Sequence, residues 1–192
     1  MSRIEGARGG PLARFSAWYA RRRLGKVPVP FEITARSPWI LRGSVAYEVA
    51  LERAQSGPRH KLMELAQLKA ASVVGCEWCL DIGSALAAHA GVTADQIRDL
   101  ARHAESEHFS DDEKLVLDYA VAMSRTPADV PDELFAGLRR HFDDRQIVEL
   151  TAAIAWENYR ARFNWAFEIE PQGFTRGACA IPERQALASE AG

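Results

Sequence analysis

Two cysteines one helical turn apart are the residues of this sequence best suited to chemistry. Cys76 and Cys79 form the segment Cys-Glu-Trp-Cys inside a long helical pattern. Because each helical residue turns the chain by about 100°, Cys76, Cys79 and Gly83 share one face. Two thiols placed in this way can close a disulfide with little backbone movement. If Cys76 lies at a helix start, the free N–H groups there favour its thiolate, which is the reactive form.

A glutamate precedes this pair at a spacing that points to a known family. Glu64 lies twelve residues before Cys76, and a small-residue helix follows Cys79. Residues 64–91 resemble the carboxymuconolactone decarboxylase and AhpD-like alkylhydroperoxidase superfamily. The likeness continues through residues 111–127 and 145–174. The resemblance implies an all-α subunit, usually in a trimer or hexamer, and in the peroxidase branch a dithiol that reduces hydroperoxides.

Two positions depart from the peroxidase pattern of that family. The pattern has a histidine four residues after the second cysteine, where this chain has Gly83. It commonly has a tyrosine just before the second cysteine, where this chain has Trp78. Both changes remove groups that could transfer protons, so the resemblance supports the dithiol chemistry better than a full proton relay.

The resemblance also implies roles for three residues. Cys79 would attack the peroxide and become a sulfenic acid, and Cys76 would resolve it to a disulfide. Glu64 would accept a thiol proton, directly or through water, which suits a partly buried carboxylate with a raised pKa. The alternatives are that the cysteines are small buried hydrophobes and that Glu64 is a surface residue.

Four further residues are candidates for supporting roles. Ser84 could form a hydrogen bond near the pocket, whereas Asp81 points about 140° from Cys76 and is expected to contact another helix or subunit. Asn158 and Tyr159 lie in an unusually polar stretch of a helix flanked by aromatic residues. They could face the dithiol pocket, or they could form an interhelical or intersubunit hydrogen-bond network.

Composition narrows the functional classes. At 192 residues, 47% of them hydrophobic, the chain can bury one good core. A net charge of −2 gives no reason to expect a nucleic-acid partner. No run approaches the ~20 apolar residues that span a bilayer, and the N-terminus lacks a secretory signal. Closely spaced cysteines indicate reduced cytosolic thiols with a redox use, so a cytoplasmic location is expected.

Helical periodicity without any long alternating pattern predicts an all-α bundle of about six to eight helices. Residues 1–29 are predicted to be a basic N-terminal arm, residues 30–182 the helical domain, and residues 183–192 a flexible tail. The prolines of residues 26–31 predict an extended connector. Predicted helices cover residues 12–24, 38–56, 59–74, 76–90, 94–103, 111–124, 131–141 and 145–169.

A weak internal echo relates two parts of the chain. Glu64 and Glu149 each precede a leucine and an Ala-rich helix. Twelve residues after Glu149 lies Ala161, and three further lies Asn164, which repeats the spacing of the glutamate and the two cysteines. The echo fits a duplicated helical unit that lost its cysteines, or a chance similarity of two amphipathic helices. The third cysteine, Cys179, lies in the tail, and the sequence does not place it.

These patterns favour a homo-oligomeric dithiol oxidoreductase that acts on a hydroperoxide or a protein disulfide. Its electrons would come from a thiol-redox protein, and neither an organic cofactor nor a metal is expected. One alternative is a lyase of the lactone-decarboxylase branch, whose members generally lack the cysteine pair. Another is a non-catalytic redox sensor or structural oligomer that kept the fold without the relay histidine.

Overall fold

The structure is a computed structural model that describes residues 2–7, 9–54 and 59–175. Within these ranges it contains nine α-helices and no strand, which confirms the all-α prediction. A 3-10 turn, Leu100–Arg102, follows the sixth helix. The helices are α1 (Pro11–Leu24), α2 (Val29–Thr34), α3 (Pro38–Ala54), α4 (His60–Val74), α5 (Glu77–His89), α6 (Ala94–Asp99), α7 (Asp111–Ser124), α8 (Asp132–His141) and α9 (Asp144–Ala166).

Helix α4 is the centre of the bundle and packs against α5, α7 and α9. Every residue from Met63 to Ser72 is buried, so no side of this helix faces solvent over that stretch. A helix that is enclosed all round must satisfy its polar side chains internally. Lys69 does so by donating from Nζ to the carbonyl of Leu100 at 2.9 Å.

Two apolar clusters flank α4. One lies between α4, α7, α8 and α9 and includes Val116, Leu138 and Ile154. The other surrounds the two cysteines and includes Leu68, Trp78 and, at its edge, Phe174. The candidate site is therefore part of a packed core.

Side-chain caps fix where several helices begin. Ser110 and Thr93 each form a reciprocal capping box with the residue three positions later, as does Asp143 at the start of α9. These motifs hold the first-turn N–H groups that have no partner inside the helix. The predicted helix starts at residues 94 and 111 are confirmed, and the last helix begins one residue before its predicted start at residue 145.

The extended connector predicted over residues 26–31 is confirmed only in part: residues 26–28 lie outside any helix, but the prediction is wrong from Val29 onward. The structure forms α2 there, with Pro28 as an extended N-cap and Pro30 in the first turn. Proline fits this position because a first-turn residue has no intrahelical acceptor for its N–H. Proline therefore begins a helix here, where it was expected to prevent one.

The predicted flexible tail, residues 183–192, and the third cysteine, Cys179, lie outside the described residues. None of the described helices is both long enough and apolar enough to cross a membrane.

Candidate functional site: a buried cysteine pair at a helix start

The turn between α4 and α5 places both cysteines at a helix start. Gly75 ends α4 in the left-handed region, with φ 77° and ψ 30°, which a residue without a Cβ adopts easily. Cys76 is the N-cap of α5, and its Sγ accepts the backbone N–H of Cys79 at 3.2 Å. Unpaired N–H groups and the positive end of the helix dipole both favour a thiolate at such a position.

The two cysteines form a disulfide inside the core. Their Cα atoms are 5.2 Å apart, which lies within the ordinary range for disulfides. Each residue is only 4% exposed, and apolar side chains surround the pair. A reagent therefore reaches the sulfurs only if a neighbouring segment moves.

Asn164 of α9 is in polar contact with both sulfurs. Its Nδ2 donates to Cys79 Sγ at 3.3 Å and lies 3.7 Å from Cys76 Sγ. The residue is 3% exposed, and its Oδ1 has no hydrogen-bond partner among the described residues. Disulfide sulfurs carry no hydrogen, so the amide can bond to them only through its NH₂ end.

The segment after α9 is fastened to the cysteine helix by Asp81. This buried carboxylate accepts the backbone N–H groups of Gln172 at 2.9 Å, Phe174 at 2.8 Å and Thr175 at 3.1 Å. The Thr175 hydroxyl donates to it at 3.0 Å. Burial raises the pKa of Asp81, but these donors outweigh burial and hold the pKa below its ordinary value. We call residues 170–175 the strap.

The strap also binds Trp78 and the connector before α2. The Oε1 atom of Gln172 accepts two hydrogen bonds, one from Trp78 Nε1 and one from the backbone N–H of Val29, each at 2.8 Å. Lys26 donates to the carbonyl of Gly173 at 3.1 Å, and its ammonium lies 4.8 Å from the ring centroid of Phe174. The strap therefore links the segment before α2 to Trp78, the residue directly before Cys79.

The structure places Glu64 in a separate polar cluster. We call this the Arg160 cluster; besides Arg160 it contains Glu48, Glu64, Gln67, Glu157 and His60. Arg160 donates to Glu48 Oε1 at 2.8 Å and to Gln67 Oε1 at 2.7 Å, and it also binds the carboxylate of Glu157. Glu64 pairs with His60 at 3.3 Å, one turn further from the cysteines.

Charge in the Arg160 cluster is unbalanced, because one guanidinium faces three carboxylates. Burial raises the pKa of Glu64, against the lowering effect of His60 and Arg160. Burial also raises the pKa of Glu157; Arg160 opposes this, and the carboxylates of Glu48 and Glu64 add to it. The cluster can therefore take up protons more readily than isolated glutamates.

The other predicted residues lie apart from the sulfurs. Asn158 donates to Ser124 Oγ at 2.9 Å and accepts from Arg162 at 2.5 Å, which links α9 to the end of α7. Tyr159 is 43% exposed and stacks on Trp156 with ring centroids 4.8 Å apart. Ser84 is buried on α5. The structure thus brings together Cys76, Cys79 and a residue that was not a predicted site residue.

Asn164 could have been found from the internal echo of the sequence. It occupies the position after Glu149 that Cys79 occupies after Glu64. The informative feature is a polar residue at the position that corresponds to Cys79. It lies on a helix face that also carries the buried residues Glu157 and Ala161.

Comparisons with known proteins agree with this arrangement. Residues 46–122 match the model of the carboxymuconolactone decarboxylase family. The chain is 37% identical over 174 residues to the uncharacterized protein YnjA of Escherichia coli K12, covering 91% of this chain and 93% of that protein. The chain belongs to the carboxymuconolactone decarboxylase and AhpD-like superfamily.

Solved structures share the fold at lower identity. An alkylhydroperoxidase AhpD core protein, an uncharacterized peroxidase-related protein from Ralstonia eutropha JMP134, superposes with a TM-score of 0.80 at 20% identity, covering 92% of this chain and 96% of that one. The debrominase Bmp8 superposes with a TM-score of 0.77 at 20% identity, covering 88% and 90%. A cysteine-to-alanine variant of that debrominase is known in complex with 2,3,4-tribromopyrrole.

Leu68 packs closely against Gly83, the position of the relay histidine in AhpD-like peroxidases. A Cβ added to Gly83 would lie 3.1 Å from Leu68 Cδ1, which is tighter than ordinary packing. Leu68 lies one turn after Glu64 on α4 and belongs to the apolar cluster around the cysteines. In this AhpD-like chain an apolar side chain therefore packs against the position that a relay side chain would occupy.

Proposed function

We propose that this protein is a dithiol oxidoreductase that reduces hydroperoxides through Cys79 and Cys76. The observation that carries the proposal is the cysteine pair itself. It lies at a helix start inside an apolar cluster, and an amide donor points at its sulfurs. The helix start and the amide favour a reactive thiolate, and they oppose the apolar burial, which disfavours the charged form.

The reaction balances with two thiols and one hydroperoxide. The Cys79 thiolate attacks the distal peroxide oxygen, the O–O bond breaks, and an alkoxide leaves. The alkoxide takes up a proton and becomes the alcohol. Cys76 then attacks the sulfur of the sulfenic acid, which forms the disulfide and releases water. A dithiol protein supplies the two electrons that return the disulfide to thiols.

Glu64 is proposed as a proton acceptor that acts at a distance, through water. Its carboxyl group is buried, and its pKa is raised by that burial. A carboxylate with a raised pKa accepts a thiol proton more readily and can return it to an alkoxide. Its partner in the structure is His60, and none of its described contacts is with a sulfur, so exchange with the thiols would need a bridging water.

The experiment is a thiol count before and after one equivalent of an organic hydroperoxide. All proteins carry Cys179→Ser, so the count concerns only the pair. The protein with both cysteines should lose two thiols within the reaction time. Cys76→Ser should stop at one sulfenic acid that a sulfenic-acid trap captures. Cys79→Ser should oxidise no faster than free cysteine; equally slow oxidation in all three proteins would refute the proposal.

Two further assays separate the alternative functions. The debrominase relative makes release of bromide from 2,3,4-tribromopyrrole, with added thiol reductant, a direct comparison on the same variants. Turnover of a carboxylated lactone that is insensitive to thiol blocking would identify a lyase. Oxidation of the pair by another protein's disulfide without peroxide turnover would indicate a redox sensor or a thiol–disulfide exchange partner.

A further inference from the structure

We propose that Asn164 holds the Cys79 sulfur as a thiolate by donating a hydrogen bond from Nδ2. This inference rests on the proposed function and assigns a further catalytic residue to it. The amide nitrogen is 3.3 Å from Cys79 Sγ, and both residues are enclosed in the core. A hydrogen bond to a charged sulfur is stronger where water is excluded.

The amide is within hydrogen-bond distance of both sulfurs, and the contact with Cys79 is the shorter one. Cys76 Sγ already accepts a backbone N–H of its own helix at 3.2 Å, and it lies 3.7 Å from the amide. Asn164 is the one described side chain that donates to Cys79 Sγ. Loss of the amide should therefore affect Cys79 more than Cys76.

Charged groups on the surrounding elements are occupied elsewhere. Asp81 on α5 is held by the strap, and Lys26 of the connector binds strap carbonyls. Arg160 on α9 is bound by Glu48 and Glu157, and Lys69 on α4 binds a carbonyl. None of these groups donates a hydrogen bond to the sulfurs in the described structure. The amide of Asn164 is the side chain that does so.

The unpartnered Oδ1 of Asn164 also favours a functional role. A buried carbonyl oxygen without a described donor is unfavourable for stability, so packing alone does not explain an amide here. The same oxygen is available to accept a hydrogen bond from a thiol or from the O–H of a hydroperoxide. A leucine would fill the space without this cost.

The test measures the pKa of each thiol without any peroxide. In a Cys76→Ser, Cys179→Ser background, Cys79 is titrated by the ultraviolet absorbance of its thiolate, with asparagine, alanine or leucine at position 164. We expect Asn164→Ala to raise the apparent pKa of Cys79 by about one to two, with a roughly 10- to 100-fold loss of thiolate well below that pKa.

Asn164→Leu separates donation from packing, because leucine keeps nearly the same shape but has neither an NH₂ group nor a charge. A donor role predicts a rise at least as large as in the alanine variant, whereas a packing role predicts a value close to wild type. The companion Cys79→Ser, Cys179→Ser background should show a smaller rise for Cys76. Asn158→Ala, which changes an amide two turns away on α9, should leave both thiols unchanged.

These outcomes distinguish the inference from the proposed function. An unchanged Cys79 pKa in both variants at position 164 would overturn the inference, even if the protein reduces peroxides. Equal rises in the pKa of both cysteines would overturn the inferred preference of Asn164 for Cys79. A raised Cys79 pKa without any peroxide turnover would support Asn164 and refute the peroxidase proposal.

Discussion

The backbone N–H of Phe174 donates to the carboxylate of Asp81 across 2.8 Å and so fastens the strap to the helix that carries both cysteines. Asp81 is two residues after Cys79, and the strap packs its Phe174 ring edge-on against Trp78 with centroids 6.1 Å apart. The sulfurs are enclosed, so opening of the strap is the simplest route for a substrate or reductant. Asp81 then controls access and need not touch the reactants.

Replacing Asp81 should expose the disulfide. Asp81→Ala removes the acceptor of three backbone N–H groups and one hydroxyl, each bond to a charged group contributing about 1.5–3 kcal/mol. Loss of even one such bond corresponds to roughly tenfold more frequent opening. We expect dithiothreitol to reduce the Cys76–Cys79 disulfide at least about tenfold faster, by the same reasoning. Equal rates for Asp81→Ala and the exposed-acid control Asp129→Ala would show that the strap does not limit access.

The pH dependence of stability should report the same carboxylate. The pKa of Asp81 in the folded protein is lower than in the unfolded chain, so the unfolded state binds the proton more readily. Its contribution is complete above the unfolded pKa of about 4 and is lost as the pH falls through the folded pKa. The urea concentration at the unfolding midpoint should therefore decrease as the pH is lowered from about 5 to about 3. Asp81→Asn should make this decrease smaller. A parallel acid slope in both proteins would contradict the prediction.

Glu64 should have the opposite effect on stability. Burial raises its pKa in the folded protein, so the folded state holds the proton more tightly than the unfolded chain. Stability should fall as the pH rises from about 4, the unfolded value, through the raised folded pKa. Glu64→Gln should remove that loss and raise the urea midpoint at neutral pH relative to wild type. Glu149→Gln, whose partner Arg145 is exposed, serves as the control; a lower midpoint for Glu64→Gln than for this control would contradict the assignment.

The sequence predicted the helices well because their signals are local. Capping residues such as Ser110 and a left-handed glycine such as Gly75 act on the nearest turn of backbone, so spacing alone locates them. The surroundings of the cysteines are set by tertiary contacts. Asn164 meets Cys79 across 85 positions of chain, and Asp81 meets a strap more than ninety positions away. Helical periodicity does not encode which side chains converge at such separations, and only the internal echo gave a signal for Asn164.

Restoring the relay histidine should require two substitutions. Gly83→His alone places a Cβ 3.1 Å from Leu68 Cδ1, so the leucine crowds this position on the face shared with Cys79 and must shift to admit a side chain. Leu68→Ala removes that contact, at a cost of about 2–5 kcal/mol for a buried leucine, part of which the new side chain recovers by filling the space. A positioned proton acceptor commonly contributes about 10²–10⁴-fold to a rate. We expect the double variant to consume hydroperoxide at least about tenfold faster than wild type, with Gly83→Ala combined with Leu68→Ala as the control for repacking alone. Gly83→His alone should show no gain. If the double variant is no faster than its alanine control, the space beside Leu68 does not lead to the Cys79 sulfur, and the missing histidine is not what limits the rate.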